Sequence, residues 1–327
     1  MGSYAARTMK LALAGDTMLG RGVAERLAET PPTSLVAPEV VEAAREADLF
    51  VLNLECCISD RGSPWPAQGK PFFFRAPPVA VEALGHLGVD CVTLANNHAL
   101  DYGEEALLDT LRYLERAGIA CVGAGPDLKT ARAPVTLGAR GFRLAVIGAT
   151  DHPEDFAARP DRPGVAYADL HAGVPEWLAG AVREVDADAV LVTPHWGPNM
   201  VPEPIEAVRK AAGTLVQAGA TLVAGHSAHV FHGVQDRVLY DLGDFLDDYM
   251  VDRVFRNDLG LLWLVTMDAG GPLHLEAVPL VLEYCHTRLA DGDDRAWIRR
   301  RFTKACAGFG TTVTEESLRL VVTWDRS

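Results

Sequence analysis

The sequence lacks a cysteine pattern typical of a disulfide framework or a zinc site. It also lacks a long apolar run. Its six cysteines show no paired spacing, so no disulfide framework is expected. No apolar run approaches the roughly 20 residues of a membrane span. The apolar stretch that follows Lys10 is too short for the core of a signal peptide. We therefore expect a cytoplasmic protein without membrane insertion.

Positive charge is also scarce, with 30 Lys and Arg against 44 Asp and Glu and a formal net charge of -14. The phosphates of nucleic acids or anionic membranes would meet a repulsive field, so neither is expected as a general partner. A negatively charged substrate would need local positive charge from a metal ion or a few arginines. A chain of 327 residues with 49% hydrophobic content is long enough for a large core.

The apolar pattern alternates between strands and helices in the first half of the chain and contains hairpins in the second half. Strands are predicted at residues 9–14, 49–54, 89–94, 119–122, 133–137, 142–147, 189–193, 221–224, 238–242, 259–265, 273–282 and 318–322. Helices are predicted at residues 36–47, 78–87, 174–185 and 205–217, and around residues 297–302. A further helix is predicted to end at residue 117. This order indicates mixed sheets covered by helices.

Polar side chains recur where predicted buried strands end. They are Asp16, Glu55, Asn97, His195 and His226. In layered α/β folds such strand ends form the ligand crevice, so these side chains are expected to lie together.

The stretch from Asn97 to Asp101 offers an amide, an imidazole and a carboxylate within five residues. Asn97 can give a neutral oxygen to a cation, His98 can carry a proton near neutral pH, and Asp101 can orient that imidazole. A structural interpretation competes, because Asp101 and Glu104 have the spacing of a capping box. The cap does not exclude a role for His98.

With His229, the strand ends supply two carboxylates, one amide oxygen and three imidazoles. This mixed oxygen and nitrogen set suits Mn²⁺, Fe²⁺ or Zn²⁺ better than Ca²⁺ or Mg²⁺. Glu55 could bridge two ions, and a water between them would lose a proton more readily. An unligated His98 is placed to protonate a leaving group. Each residue alone also has a structural interpretation, such as a packed imidazole at His195.

Several motifs together resemble the CapA (poly-γ-glutamate synthesis) group of the calcineurin-like metallophosphoesterase superfamily. The matching pieces are Gly15-Asp16-Thr17-Met18-Leu19-Gly20-Arg21, Asn53-Leu54-Glu55, Asn96-Asn97-His98 with Asp101, His195-Trp196-Gly197, Gly225-His226-Ser227-Ala228-His229 and Tyr240-Asp241-Leu242-Gly243-Asp244-Phe245. The group more often has Asn in place of Asp244. The resemblance covers roughly residues 9–285, and the tail is not covered.

The resemblance implies a four-layer α/β/β/α sandwich with two mixed sheets and a centre of one or two divalent ions. By position, one ion would be held by Glu55, Asn97, His195 and His226, and the other by Asp16, Glu55 and His229. His98 would be the unligated acid, with Asp101 behind it. We expect a domain at residues 1–285 and a helix–strand extension at 286–327 packed on it.

One position departs from the superfamily pattern, which usually opens with Asp-x-His. Here Met18 stands where that histidine would bind the first ion, and methionine is a poor ligand for such ions. We expect the first ion to have fewer protein ligands. Arg21 and Arg75 are candidate substrate-binding residues near the site loops, although either can be a solvated arginine.

The leading functional hypothesis is a metal-dependent hydrolase acting on a phosphoester or on an amide of an acidic peptide. Metal-bound hydroxide would attack, and His98 would protonate the departing group. Two alternatives keep the metal site: a peptide Cα epimerase, and a non-catalytic assembly protein stabilised by the metal. The expected partner is a small-molecule or peptide substrate, and a homo-oligomer is left open.

Overall fold

The computed structural model describes residues 7–66 and 69–324 of the chain. Its α-helices in these ranges are α1 Arg21–Glu29, α2 Pro38–Ala44, α3 Ala80–Leu87, α4 Gly103–Arg116, α5 Leu128–Arg132, α6 Glu176–Glu184, α7 Glu206–Ala218 and α8 Gly292–Ala307. Its strands are β1 Met9–Thr17, β2 Leu49–Leu54, β3 Cys57–Ile58, β4 Arg75–Ala76, β5 Cys91–Thr93, β6 Ala120–Val122, β7 Ala124–Gly125, β8 Val135–Ala139, β9 Phe142–Thr150, β10 Gly164–Val165, β11 Ala189–His195, β12 Leu222–Ala224, β13 Val234–Gln235, β14 Val238–Leu239, β15 Asp244–Leu246, β16 Leu259–Asp268, β17 Gly271–Glu283, β18 His286–Leu289, β19 Thr314–Glu316 and β20 Arg319–Thr323.

The larger sheet of the described chain has ten strands, and β1 lies near its middle. Its main order is β19-β20-β17-β16-β1-β2-β5-β6, while β15 pairs with β1 and β18 pairs with β17. Strands β1, β2, β5 and β6 run parallel, whereas β16 pairs antiparallel to β1. The carboxyl ends of β1, β2 and β5 therefore meet at one edge.

The second sheet has six strands in the described residues, in the order β13-β14-β12-β11-β9-β8. Its central strands β9, β11, β12 and β14 are parallel, and β8 forms an antiparallel hairpin with β9. Both large sheets are therefore mixed, as the sequence predicts.

Three apolar cores separate four layers. Along β1, Leu11 and Leu13 face a central core that also contains Leu144 and Val146 of β9, so the two sheets pack face to face. The intervening Ala12 contributes to a second core under α1 to α4. The outer face of the six-stranded sheet packs under α6 and α7. This period-2 alternation produces the predicted α/β/β/α sandwich, which is confirmed.

The C-terminal segment takes part in both the large sheet and the central core. Strand β20 pairs with β17, and Ile298 and Phe302 of α8 are fully buried in the central core. Arg319 also forms ion pairs with Glu46 and Glu276. The proposed boundary after residue 285 falls between the paired strands β17 and β18, and the division into two parts stays a prediction.

Most predicted elements are present, and the differences have local causes. The helix predicted at 36–47 begins only at Pro38, since Val36 pairs with Thr287 and proline favours the first helical turn. The strand predicted at 238–242 stops at Leu239, because the Asp241 side chain accepts hydrogen bonds from the N–H groups of Ala228 and Gly243. Helix α1 was not predicted.

No helix in the described ranges has the length and apolar character needed to cross a bilayer. The cytoplasmic location stays a prediction.

Candidate metal centre

The strand ends of both sheets bring the predicted ligands to one place. Asp16 is the penultimate residue of β1, and Glu55 directly follows β2, where its N–H donates to Thr17 O at 2.9 Å. In the second sheet His195 ends β11 and forms a parallel bridge with His226. The fold buries the two carboxyl groups and the two imidazoles almost completely.

Side-chain contacts join the two halves of this centre. Asp16 Oδ1 lies 3.4 Å from His226 Nδ1, and Asp16 Oδ2 lies 3.3 Å from His229 Nδ1. Glu55 Oε1 lies 3.5 Å from His195 Nε2. Residues distant in sequence therefore form one cluster. Asn97 lies four residues beyond the end of the neighbouring strand β5, and its Oδ1 is buried.

Most of the buried polar atoms at this centre have no hydrogen-bond partner among the described residues. They are Asp16 Oδ2, Glu55 Oε1, Asn97 Oδ1, both ring nitrogens of His195, His226 Nδ1 and Asp244 Oδ2. An unsatisfied buried polar atom costs about 1–3 kcal/mol, and a ligand bound at this point could satisfy several of these atoms at once. The donor set fits a divalent cation.

Asp244 is a site residue that the sequence analysis did not assign as a ligand. Strand β15 pairs parallel to β1 and places Asp244 opposite Asp16. Its Oδ1 lies 2.8 Å from His229 Nδ1. The close approach of the chain at Gly243 to β1 depends on Gly15, where a Cβ atom would lie 1.7 Å from Gly243 O. The available signal was the motif containing Asp244, which was noted only as a departure.

Ligand atoms at the centre fall into two groups of three. Asp16 with Glu55 and His195 forms one, and Asp16 with His229 and Asp244 forms the other, with the ligand atoms of each group within 4.8 Å of one another. Asp16 is thus the shared residue by geometry, whereas the resemblance gives that place to Glu55. The assignment of particular ligands to particular ions stays a prediction.

Met18 is directed away from this centre. Its side chain is fully buried in the core between the large sheet and the helices, and its Sδ accepts a hydrogen bond from Gly20 N at 3.0 Å. It therefore contributes no ligand, as the sequence departure indicates.

A chain of side-chain amides holds the strand ends together. Asn53 Nδ2 donates to Asp16 Oδ1 at 2.7 Å, and Asn96 Nδ2 donates to Asn53 Oδ1 at 2.9 Å. Asn96 Oδ1 in turn accepts from the His98 N–H at 3.0 Å. These bonds fix Asp16 relative to His98, and they explain why Asn53 and Asn96 occur in the motifs.

His98 and Asp101 form the predicted pair. His98 Nδ1 lies 2.6 Å from Asp101 Oδ2, and the imidazole stacks on Phe74 with ring centroids 3.9 Å apart. Asp101 Oδ2 also accepts from Phe74 N, and its Oδ1 lies 2.9 Å from Lys70 Nζ. Burial lowers the pKa of His98 to about 4, although Asp101 opposes this shift. The bond at Nδ1 leaves Nε2 for proton transfer.

Lys70 was not predicted as a site residue. It donates to Asn97 O at 2.7 Å and belongs to the Gly- and Pro-rich loop that follows Ser59. Neither its position nor its pairing with Asp101 follows from spacing along the chain.

The two predicted substrate-binding arginines are both engaged elsewhere. Arg21 forms an ion pair with Asp248 and lies over the rings of Phe74 and Tyr249, at 4.9 Å and 5.5 Å from their centroids. Arg75 lies 4.1 Å from the centroid of the Tyr102 ring. Arg21 adjoins the centre through Tyr249, whose hydroxyl donates to Glu55 Oε2 at 2.9 Å. A substrate role for either arginine stays a prediction.

Burial and mutual repulsion dominate the electrostatics of the carboxyl groups. Burial raises the pKa of Glu55 well above its usual range, and the nearby Asp16 and Asp244 raise it further. Burial likewise raises the pKa of Asp244, with Asp247 and Asp16 adding to it. Burial opposes ionisation of Asp16 too, but His226 and His229 hold its pKa well below the usual value. A divalent cation would relieve this repulsion.

Asp247 gives a test of this burial through pH. Burial raises its pKa from 3.8 to about 7. Between these values the unfolded chain has released a proton that the folded chain keeps, so stability falls as pH rises from about 4 to about 7. We expect Asp247→Asn to remove this pH dependence. The free energy of unfolding of the variant, minus that of the wild type, should therefore rise as the pH goes from about 4 to about 7 and stay constant at higher pH.

Urea unfolding with chelator present, at several pH values from about 4 to about 8, measures the difference. Asp161→Asn, which changes an exposed carboxylate, is the matched control. A constant difference between Asp247→Asn and wild type across the window would contradict the expectation.

Residues 10–249 match the protein family described as bacterial capsule synthesis protein PGA_cap. The chain belongs to this family. The predicted family resemblance is confirmed, and the matched range contains all of the predicted site residues as well as Asp244.

Curated relatives support the assignment. A probable polyglutamine synthesis accessory protein of Mycobacterium tuberculosis is 33% identical over 288 residues, which are 81% of this chain and 74% of that protein. The capsule biosynthesis protein CapA of Bacillus anthracis is 27% identical over 310 residues, 90% of this chain and 73% of that protein. The PGA biosynthesis protein CapA of Bacillus subtilis is 28% identical over 252 residues, 75% and 65% respectively.

Among solved structures, a hypothetical protein from Thermus thermophilus is similar with a TM-score of 0.44 and 17% sequence identity. The match covers 86% of this chain and 96% of that one.

Proposed function

We propose that this PGA_cap family member is a metal-dependent hydrolase of a phosphoester or of an amide in an acidic peptide. The observation that carries the proposal is the convergence of unpartnered, buried oxygen and nitrogen atoms at the strand ends. An apolar or hydrogen-bonded core has no need of such an arrangement. One or two ions of Mn²⁺, Fe²⁺ or Zn²⁺ suit this donor set.

The residues proposed to hold the ions are Asp16, Glu55, Asn97, His195, His226, His229 and Asp244. His226 is oriented for this role, because its Nε2 lies 2.8 Å from Thr193 Oγ1 and its Nδ1 has no hydrogen-bond partner among the described residues. Such a partner at the other ring nitrogen fixes the tautomer of a metal-binding imidazole. When bound, a divalent ion supplies Lewis acidity and a nucleophile near neutral pH.

His98 is proposed to donate a proton from Nε2 to the departing group. Asp101 keeps the imidazole oriented, and Phe74 supports its ring face. An anionic group of the substrate beside the ring would favour the protonated imidazole and so oppose the effect of burial on its pKa. Lys70 helps hold Asp101 in place through their ion pair.

The substrate class rests on the relatives. Their names refer to polyglutamine synthesis, to PGA biosynthesis and to capsule biosynthesis. The proposed acidic peptide or its phosphorylated precursor follows the PGA and capsule names, since polyglutamine itself has uncharged side chains. Fold and motif alone do not fix a substrate.

A peptide Cα epimerase on the same site is the second candidate. Exchange of a Cα proton needs groups that remove and return protons, and His152 is a second imidazole at the centre. Its ring lies 5.1 Å from that of His195, and its Nδ1 contacts Asp151 Oδ1. Deuterium uptake from solvent into an uncleaved peptide would favour this candidate over hydrolysis.

The first test is the metal content of protein purified without chelator. We expect one to two equivalents of Mn, Fe or Zn per chain, and a loss of most of it in His226→Ala. His86→Ala, at a half-buried histidine away from the centre, is the matched control. A wild type that retains no Mn²⁺ or Zn²⁺ after reconstitution would exclude both enzymatic candidates and leave a non-catalytic accessory protein.

Hydrolysis itself is measured on phosphoesters and on γ-glutamyl peptides with the reconstituted protein. Product release that depends on the metal supports the proposal. A metal-loaded protein that cleaves neither class, and that still binds a partner protein after His98→Ala, would support a non-catalytic role.

A further inference from the structure

A pocket outside the metal centre is lined by an unusual concentration of positive charge. It has a volume of about 460 Å³ and lies between α7 and α8, with Arg209 on one side and Arg300, Arg301 and Lys304 on the other. This volume falls in the range of small-molecule sites. The chain as a whole has a net charge of -14, so a cluster of positively charged side chains is not expected from its composition.

The geometry of α8 explains how three cations reach one pocket. Trp297, Arg300, Arg301 and Lys304 follow the i, i+3, i+4, i+7 spacing that places side chains on one helical face. Like charges at i and i+4, here Arg300 and Lys304, destabilise a helix by a few tenths of a kcal/mol. An arrangement with this cost is expected where an anion offsets it.

Neutralisation of these cations from within the chain is incomplete. Glu203 is the one acidic residue of the lining, and it lies 3.7 Å from Arg209. In the described part of the chain, Arg300 and Lys304 make no ion pair and are exposed. Three of the four cations are therefore available to a ligand.

Arg301 is held rigidly at the pocket wall. Its guanidinium lies over the rings of Phe231 and Trp297, 5.4 Å and 5.6 Å from their centroids. Its Nε and Nη2 are buried without a hydrogen-bond partner among the described residues. A planar guanidinium fixed by stacking, with unused donors, is suited to an oxyanion.

The pocket is connected to the metal centre by the chain itself. The segment that carries His226 and His229 continues to Phe231, under Arg301, and to Gly233 in the pocket lining. Four residues span at most about 14 Å when extended, which bounds the distance between the Cα atoms of His229 and Gly233. A peptide of about four residues is long enough to span this separation.

We propose that the α7–α8 pocket is a second binding site, which holds free carboxylates of an acidic peptide while another part of that peptide lies at the metal centre. The choice of peptide carboxylates over other oxyanions rests on the proposed function. The proposal that this pocket binds an oxyanion does not rest on the proposed function.

The test is calorimetric titration of tetra-γ-glutamate into His226→Ala protein with chelator present, so that binding at the pocket is read without a metal ion. On this background we expect Arg300→Gln/Lys304→Gln to weaken binding about tenfold or more, which corresponds to about 1.4 kcal/mol or more. Arg116→Gln/Arg295→Gln removes the same charge elsewhere and is expected to change affinity less than about twofold.

Equal losses in the two double variants, or no measurable binding by the His226→Ala protein, would overturn the proposal. A γ-linked tetramer that carries carboxamides in place of all its free carboxylates should not compete. Inorganic phosphate that displaces the peptide at similar concentration would overturn the carboxylate assignment in favour of a phosphate site. Because metal content and hydrolysis are not read here, these outcomes are independent of the outcome for the proposed function.

Discussion

Replacing Glu55 with glutamine is expected to change stability in opposite directions with and without metal. Glu55 is fully buried, its Oε1 has no hydrogen-bond partner in the described chain, and the neighbouring Asp16 and Asp244 oppose its ionisation. Glutamine keeps the shape and can still accept from Tyr249, but it removes the charge. The metal-free variant should therefore be more stable than the metal-free wild type.

In the presence of metal the order should reverse. Loss of a charged ligand is expected to weaken metal binding by about 100-fold or more, since even residues that only support ligands account for 10–100-fold. A ligand at 1,000 times its dissociation constant stabilises the folded state by about 4 kcal/mol. We expect Mn²⁺ or Zn²⁺ to raise the melting temperature of the wild type by several degrees and that of Glu55→Gln by no more than about a third as much.

Thermal unfolding with chelator and with added metal measures both effects. Glu82→Gln, at an exposed position on α3, is the matched control and should follow the wild type in both conditions. A Glu55→Gln protein less stable than wild type in chelator would show that Glu55 is a structural residue. Equal stabilisation of both proteins by metal would place the ion elsewhere.

Replacing His98 with glutamine is expected to reduce kcat about 10²–10⁴-fold, the usual contribution of general acid–base catalysis. Glutamine removes the proton-transfer group, whereas the proposed ligand atoms stay in place. We therefore expect the metal content to be retained. Single-turnover hydrolysis and metal analysis of the same preparation separate these two effects.

Asp101→Asn is the companion to this experiment. Asp101 touches His98, Lys70 and Phe74 rather than the proposed ion, so we expect a smaller loss of kcat with a shifted pH profile. A His98→Gln protein with full activity would exclude the proposed acid. Loss of metal in that variant would indicate a ligand role for His98 instead.

The sequence predicts the fold, and the polar residues at the strand ends, from local patterns. Apolar runs that end in Asp16, Glu55 or His195 identify buried strands and their polar ends without knowledge of the pairing. Parallel pairing then brings these ends to one edge, and facing sheets complete the cluster.

Other site residues depend on register and loop path, which spacing does not reveal. Asp244 reaches Asp16 only because β15 adds to β1 from far along the chain. Lys70 and Tyr249 come from irregular segments, so no periodicity predicts their contacts with Asp101 and Glu55. Arg21 illustrates the converse, since its motif position is as expected but Asp248 neutralises its charge.

The position of β1 has a consequence for how the protein is made. This first strand lies between β2 and β16, and Leu13 pairs with Trp263. The proposed ligands Asp16 and Asp244 are therefore adjacent only after most of the chain has left the ribosome. Contacts of such long sequence separation form late and slowly. A nascent chain would expose β1 without its partner on one side, and the ligand group of Asp16, His229 and Asp244 would be completed late.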